Sequence, residues 1–134
     1  MKLAGIVRGG SVLFVDDERP IRALFRRAFA SLGIDFDDAA DGNQALAKLE
    51  QRRFDAVVID VIMPDRDGVE TIQLIRERWP QTYIIAMSGG GRIGPDEFLK
   101  LAAEVGADRT LTKPFRPAHL VSLLADGPPS KLTG

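Results

Sequence analysis

Short apolar runs alternate along this chain with stretches in which apolar residues recur every three or four positions. Val12-Leu13-Phe14-Val15 is an unbroken apolar run, the pattern of a strand covered on both faces. Ile21, Leu24, Phe25, Ala28, Phe29 and Leu32 follow at helical spacing and are ended by Gly33. Ile34 to Ala39 mixes apolar residues with acids, which predicts a weaker strand near a sheet edge. Ala45, Leu46 and Leu49 predict a short helix, and Val57-Val58-Ile59 a second strong strand. Val69, Ile72, Ile75 and Trp79 line a helix stopped by Pro80. Tyr83 to Met87 is the third strong strand, and Phe98, Leu99, Leu101, Ala102 and Val105 form a helix ended by Gly106. Thr110-Leu111-Thr112 predicts a short strand, and Leu120, Leu123 and Leu124 a last helix.

Five β–α units in succession imply right-handed crossovers and a parallel sheet with helices on both faces. The fold class is therefore α/β, a doubly wound sandwich. One domain is expected over residues 11–125. Residues 1–10 read as an N-terminal extension set off by Gly9-Gly10, and 126–134 as a tail that begins with Gly127-Pro128-Pro129-Ser130.

Composition narrows the function without choosing it. The chain has 134 residues, 45% apolar and 28% charged, which suits one soluble globular domain with a real core. A formal net charge of −1 supplies no overall basic field for nucleic acid or an anionic membrane. The absence of cysteine excludes disulfides, thiol catalysis and cysteine-ligated metals, and the lone His119 excludes a multi-histidine metal site. The apolar patch from Leu3 to Val7 is too short for a signal peptide, so a cytoplasmic protein is expected.

The chemistry lies at the strand ends. In a doubly wound sheet, ligands bind outside the carboxyl ends of the strands. The first strand ends in Asp16-Asp17-Glu18 and the third in Asp60. The fourth ends in Ser88-Gly89-Gly90-Gly91 and the fifth in Thr112-Lys113-Pro114-Phe115. Asp16, Asp17 and Asp60 bring three negative charges to one sheet edge, and Lys113 offsets one. A divalent cation would neutralise the rest, and carboxylate oxygens with retained waters suit Mg2+. A phosphoryl group there would meet Mg2+, the Lys113 ammonium and the Ser88 hydroxyl. With neither Cys nor His at hand, the nucleophile must be a carboxylate, and aspartyl phosphate is a known covalent solution.

Each residue also has a plainer reading. Asp16-Asp17 before Pro20 suits a helix start, and Asp60 alone suits a strand-end turn. Only the constellation favours chemistry. Asp65 and Asp67 read as loop residues, His119 as a helix-surface residue and Trp79 as a packing residue. No GK[ST] follows the glycine run, so a nucleotide-binding P-loop is not expected.

The pieces VDD at 15–17, IDVIMPDRDG at 59–68, MSGGG at 87–91 and LTKPF at 111–115 occur in order, each at a strand end. With them the chain resembles the receiver domain of bacterial two-component response regulators, across roughly residues 11–125. The resemblance implies a flavodoxin-like sheet with strand order 2-1-3-4-5. It implies Asp60 as phosphoacceptor, and Mg2+ held by Asp16, Asp17, Asp60 and the backbone carbonyl of Ile62. Ser88 would be the switch hydroxyl, Lys113 the phosphoryl-contacting lysine, and Lys113–Pro114 a cis bond. The implied donor is a histidine kinase or a histidine phosphotransfer protein. The output would be conformational change, phosphotransfer or protein contact, including a homodimer through the face of the last two helices and the strand between them. No turnover enzyme is implied.

Two departures matter. Thr110 stands where the family commonly carries Tyr or Phe, so the signal must leave by other movements. Ile62, two residues after Asp60, and Gly90, two after Ser88, offer no side chain to orient a hydrolytic water, so slow self-dephosphorylation is expected. The short stretch after Lys113 suggests a stand-alone receiver without an output domain. Three rivals differ on residues. A dehalogenase-like phosphatase would want an acid where Ile62 stands. A flavodoxin-like cofactor binder would want a hydroxyl-rich loop where Asp16-Asp17-Glu18 stands. A phosphorylation-independent pseudo-receiver would be expected to have lost an acid or the lysine.

Overall fold

The computed structural model describes residues 10–62, 68–89 and 95–128. Gly9, Asp65, Asp67, Gly90, Gly91 and the tail from Pro129 lie outside them. Among the described residues, five strands alternate with five helices. They are β1 (Ser11–Val15), α1 (Arg19–Ala30), β2 (Asp35–Ala39), α2 (Gly42–Gln51) and β3 (Ala56–Asp60). Then follow α3 (Gly68–Arg78), β4 (Tyr83–Ser88), α4 (Pro95–Val105), β5 (Arg109–Thr112) and α5 (Pro117–Asp126). All pairings are parallel and the order is β2-β1-β3-β4-β5, as the resemblance implied.

The apolar strands split by period two into the cores of the two layers. Leu13, Val15, Val57, Ile59, Ile84 and Ala86 face Leu49 of α2, Ile72 and Ile75 of α3, and Leu99 and Ala102 of α4. Val12, Phe14, Val58, Ile85 and Met87 face Phe25 and Phe29 of α1, and Leu120 and Leu124 of α5. Phe14 stacks on Phe25 at 4.7 Å between ring centroids, which fixes α1 against the sheet centre. Burying both faces of β1, β3 and β4 makes these strands the rigid part of the molecule. Their carboxyl ends lie level, because Val15 pairs with Ile59 and Asp60 pairs with Met87.

The acid-rich β2 is an edge strand, as its pattern predicted. Its carboxylates meet cations from flanking helices. Asp37 accepts from Lys48 at 2.8 Å, Asp38 from Arg26 at 3.0 Å, and Asp35 from Arg52 at 3.0 Å.

Several local expectations need correction. Gly10, read as part of the extension, is buried and joins the sheet end, its carbonyl accepting the Asp35 N–H at 2.9 Å. Helix α1 stops at Ala30, so Leu32 falls in the turn and is 43% exposed. Leu24 and Leu101 sit at helical spacing yet lie on the rims of their apolar stripes, 47% and 48% exposed. Helix α3 ends at Arg78, although the Trp79 N–H still donates to Ile75 O at 2.7 Å.

Candidate functional site

The carboxyl edge of the sheet brings the anticipated residues together. Asp16 directly follows β1, Asp60 ends β3, Ser88 ends β4 and Lys113 directly follows β5. Asp16 and Ser88 are fully buried and Asp60 nearly so, while Asp17 is exposed. The Lys113 ammonium donates to Asp16 Oδ2 at 2.6 Å and to Asp60 Oδ2 at 2.8 Å. Glu18, at 3.9 Å from the same nitrogen, is a weaker and exposed neighbour. The other Asp60 oxygen accepts the Ile62 N–H at 2.9 Å, and the other Asp16 oxygen accepts the Glu18 N–H at 2.8 Å.

Two carboxylates share one ammonium, and the ionisation of Asp60 and Lys113 is shifted in this partly buried setting. Burial pushes the Asp60 carboxyl above the ordinary carboxylate range, against the pull of Lys113 and the Ile62 N–H. Burial also works against the Lys113 ammonium. Its hydrogen bonds to Asp16 and Asp60 outweigh that cost and hold it above the ordinary lysine value.

Oxygen atoms of Asp16, Asp17 and Asp60 lie within 4.8 Å of one another, close enough to ligate one ion. Their charge, less that of Lys113, leaves two negative charges. The donor set is all oxygen, hard and partly open to water, which fits Mg2+ and not a soft metal. The site has a second mark of readiness for a ligand. The Ser88 hydroxyl is fully buried and has no hydrogen-bond partner among the described residues. A buried, unsatisfied hydroxyl costs free energy unless something arrives to accept from it or donate to it.

The backbone holds this edge tightly. Lys113 N–H donates to Ser88 O at 2.8 Å, tying the lysine to the end of β4, and the Lys113–Pro114 bond is cis. Val61 N–H donates to Met87 O at 2.9 Å, which extends the β3–β4 ladder past Asp60.

Two glycines matter here in a way the sequence did not announce. A Cβ on Gly68 would lie 2.4 Å from Asp60 O and 2.4 Å from Val61 Cα. Helix α3 therefore starts in contact with the backbone that carries Asp60, and only glycine allows it. A Cβ on Gly89 would lie 2.9 Å from Lys113 Cβ, so this glycine makes room for the lysine stem. The sequence marked Gly68 only as a turn residue. Its close approach is a tertiary fact.

The remaining anticipated residues fall as follows. Ile62 is 40% exposed beside the site. Thr110 is exposed on β5, next to a groove of about 320 Å³ lined by Leu99, Lys100, Ala103, Thr110 and Thr112. His119 is exposed on α5, and Trp79 packs against the core.

Comparison with known proteins agrees with this geometry. The response regulator receiver domain family matches residues 12–125. The transcriptional regulatory protein TcrA of Mycobacterium tuberculosis is 35% identical over 123 residues, 92% of this chain and 47% of that protein. The alkaline phosphatase synthesis transcriptional regulatory protein PhoP of Bacillus subtilis is 36% identical over 110 residues, 81% of this chain and 44% of that protein. The chain thus spans about half the length of these curated relatives. Among solved structures, the chemotaxis protein CheY4 of Vibrio cholerae superposes with a TM-score of 0.76 at 33% identity, covering 84% of this chain and 93% of that one. Receiver domains hold Mg2+ at an acidic cluster of the kind that Asp16, Asp17 and Asp60 make here. The sequence pattern, the sheet order and the relatives converge, and the chain belongs to the response regulator receiver domains.

Proposed function

We propose that this receiver accepts a phosphoryl group on Asp60 from the phosphohistidine of a histidine kinase or a histidine phosphotransfer protein. One observation carries the reading. A buried strand-end carboxylate, a shared ammonium, an open cluster of acids and an orphaned hydroxyl meet at one edge.

In the transfer, an Asp60 carboxylate oxygen attacks phosphorus and the N–P bond breaks. The imidazole leaves with the bonding pair, and an acyl phosphate forms. Asp16, Asp17, Asp60 and the Ile62 carbonyl would hold Mg2+, which supplies charge neutralisation at the phosphoryl oxygens and orients them in line. Lys113 already touches Asp60, so its ammonium stands where the new phosphoryl oxygens arrive. The Ser88 hydroxyl, without a partner among the described residues, gains an acceptor, which favours a rearranged end of β4 once Asp60 is phosphorylated.

The output is a protein contact through the face of α4, β5 and α5, where Thr110 is exposed, and a homodimer through that face is one form of it. The Ile62 side chain carries no polar atom to orient a hydrolytic water, so the phosphorylated form is long-lived. A lifetime of seconds would contradict that point. The domain acts as a phosphoacceptor and not as a turnover enzyme. The setting is the cytoplasm, where such kinases deliver phosphoryl groups. Among the described residues, no helix is long and apolar enough to cross a membrane.

The test is intact mass after incubation with Mg2+ and acetyl phosphate, with Asp60→Asn in parallel. A gain of one phosphoryl group in the wild type, absent in the variant, supports the proposal. No gain, even with a phosphorylated kinase as donor, indicates a binding module that works without phosphorylation.

A further inference from the structure

Asp16 is held from every side, and one of the holders is a side chain outside the site. Its N–H donates to Ala39 O at 3.1 Å, at the end of the edge strand. Its carboxylate takes the Glu18 N–H and the Lys113 ammonium. Its carbonyl accepts Nη1 of Arg22 at 2.8 Å. Arg22 lies on α1, one turn past the helix start, and helical side chains lean back towards the N-terminus. The same guanidinium turns its Nε to Asp38 Oδ2 at 3.3 Å, and Arg22 is only 17% exposed. Asp38 is gripped in turn by Arg26 at 3.0 Å, and its backbone carbonyl by Lys48 at 2.6 Å.

We infer that Arg22 is a positioning residue for the metal-binding acids. It clamps the peptide between Asp16 and Asp17 to the end of β2, and so sets the direction in which the exposed Asp17 carboxylate points. The inference rests on the proposed Mg2+-dependent phosphoryl acceptance. The fork shape of the guanidinium is essential. One arm reaches a carbonyl and another a carboxylate, which an ammonium cannot reproduce in a fixed plane.

Charge and positioning make opposite forecasts. Arg22 is a cation near a cation site. If only its charge mattered, removing it would strengthen Mg2+ binding. If it positions the acids, removing it weakens binding, as removal of an outer partner of a metal ligand does.

The experiment measures Mg2+ affinity by calorimetry for wild type, Arg22→Met, Arg22→Lys and Asp38→Asn. Phosphoryl uptake from acetyl phosphate is followed at low and at saturating Mg2+. The expected result is about a tenfold rise in Kd for Arg22→Met, with no rescue by Arg22→Lys. Asp38→Asn, which frees the clamp without touching Asp16, gives a smaller rise. Uptake recovers towards the wild-type rate at saturating Mg2+. In the metal-free protein, hydrogen exchange at the amides of Asp17 and Glu18 speeds up in Arg22→Met. Unchanged or tighter Mg2+ binding in Arg22→Met, or full rescue by lysine, overturns the inference. If the wild type itself binds no Mg2+ and takes up no phosphoryl group, the functional proposal fails instead, and the two failures are told apart by the wild-type arm.

Discussion

The two ends of the sheet are built on opposite principles. At the amino end, charges are mostly closed, the buried Arg109 Nε being the exception among the described residues. Arg76 of α3 spends its guanidinium on Gly106 O at 2.7 Å, Pro80 O at 2.8 Å, Thr82 O at 2.9 Å and Asp108 Oδ2 at 2.7 Å. Asp108 also takes the Ile84 N–H at 2.9 Å. Beside it, Asp55 accepts from both the N–H and the hydroxyl of Ser11, and the Ser11 hydroxyl accepts the Asp55 N–H at 3.0 Å. At the carboxyl end, charges are left open. Three acids face one lysine, and a buried serine has no partner among the described residues. The first end ties loops and helices together. The second carries surplus negative charge and an unpaired buried hydroxyl at some cost in stability, and that surplus is what a cation and a phosphoryl group can bind. Real proteins depart from local consistency at functional sites, and here the surplus of charge gathers at the carboxyl edge.

This contrast can be broken from either side, and the largest effect belongs to the closed end. Arg76→Gln removes most of the network and takes the guanidinium from Asp108 and from the Gly106 carbonyl, leaving Asp108 the Ile84 N–H. Chemical denaturation is expected to show a loss of about 3 kcal/mol. Mg2+ affinity should stay within about twofold of wild type, because the site lies at the other end. A large change in Mg2+ affinity would mean that the two ends are not separate.

Gly68→Ala comes next and strikes the open end. The new methyl group meets Asp60 O and Val61 Cα, so α3 must shift away from the backbone that carries the phosphoacceptor. The expected loss is about 1–3 kcal/mol in a denaturant melt, together with slower phosphoryl uptake. Stability and uptake equal to wild type would show that α3 can yield at no cost.

Asp60→Asn should act in the opposite direction and stabilise the metal-free protein by about 1 kcal/mol at neutral pH. The sign follows from the raised Asp60 pKa. A carboxyl whose pKa is higher folded than unfolded costs stability when ionised, and the cost grows as pH rises from the ordinary carboxylate value through the raised one. Asparagine carries no such cost and still offers an oxygen to Ile62 N–H. Melting temperatures across a pH series should therefore converge in acid and separate towards neutrality. A gap that widens in acid would contradict the open-charge account.

The smallest effect is expected of Ser88→Ala without phosphoryl donor. Its buried hydroxyl has no partner among the described residues, so removing it relieves that cost, less the small void left behind, and should stabilise by about 0.5 kcal/mol. A loss of stability would reveal a partner for the hydroxyl in the resting protein.

Much of this was legible in the sequence, for physical reasons that also explain the gaps. The runs at Val12–Val15, Val57–Ile59 and Tyr83–Met87 could only be buried strands, and the residues that follow such strands in a parallel sheet must share an edge. The acids and Lys113 were therefore readable as one group. Stripe width was not. Leu24 and Leu101 have the right spacing, but the neighbouring helix or strand decides how far the cover extends. Nothing singled out Arg22 or Arg76, because a hydrogen bond to a backbone carbonyl leaves no mark in the sequence. Gly68 showed its turn signal and hid its contact with Asp60, which depends on how the chain returns to the sheet.

The central claim is that the open edge exists to carry a phosphoryl group on one particular carboxylate. The direct test is to phosphorylate the protein with acetyl phosphate and Mg2+, reduce it with borohydride, and map the resulting homoserine by peptide mass spectrometry. The account predicts homoserine at Asp60, in the peptide that begins at Phe54, and at no other acid. Homoserine at Asp16 or Asp17, or at none of the three, would contradict it.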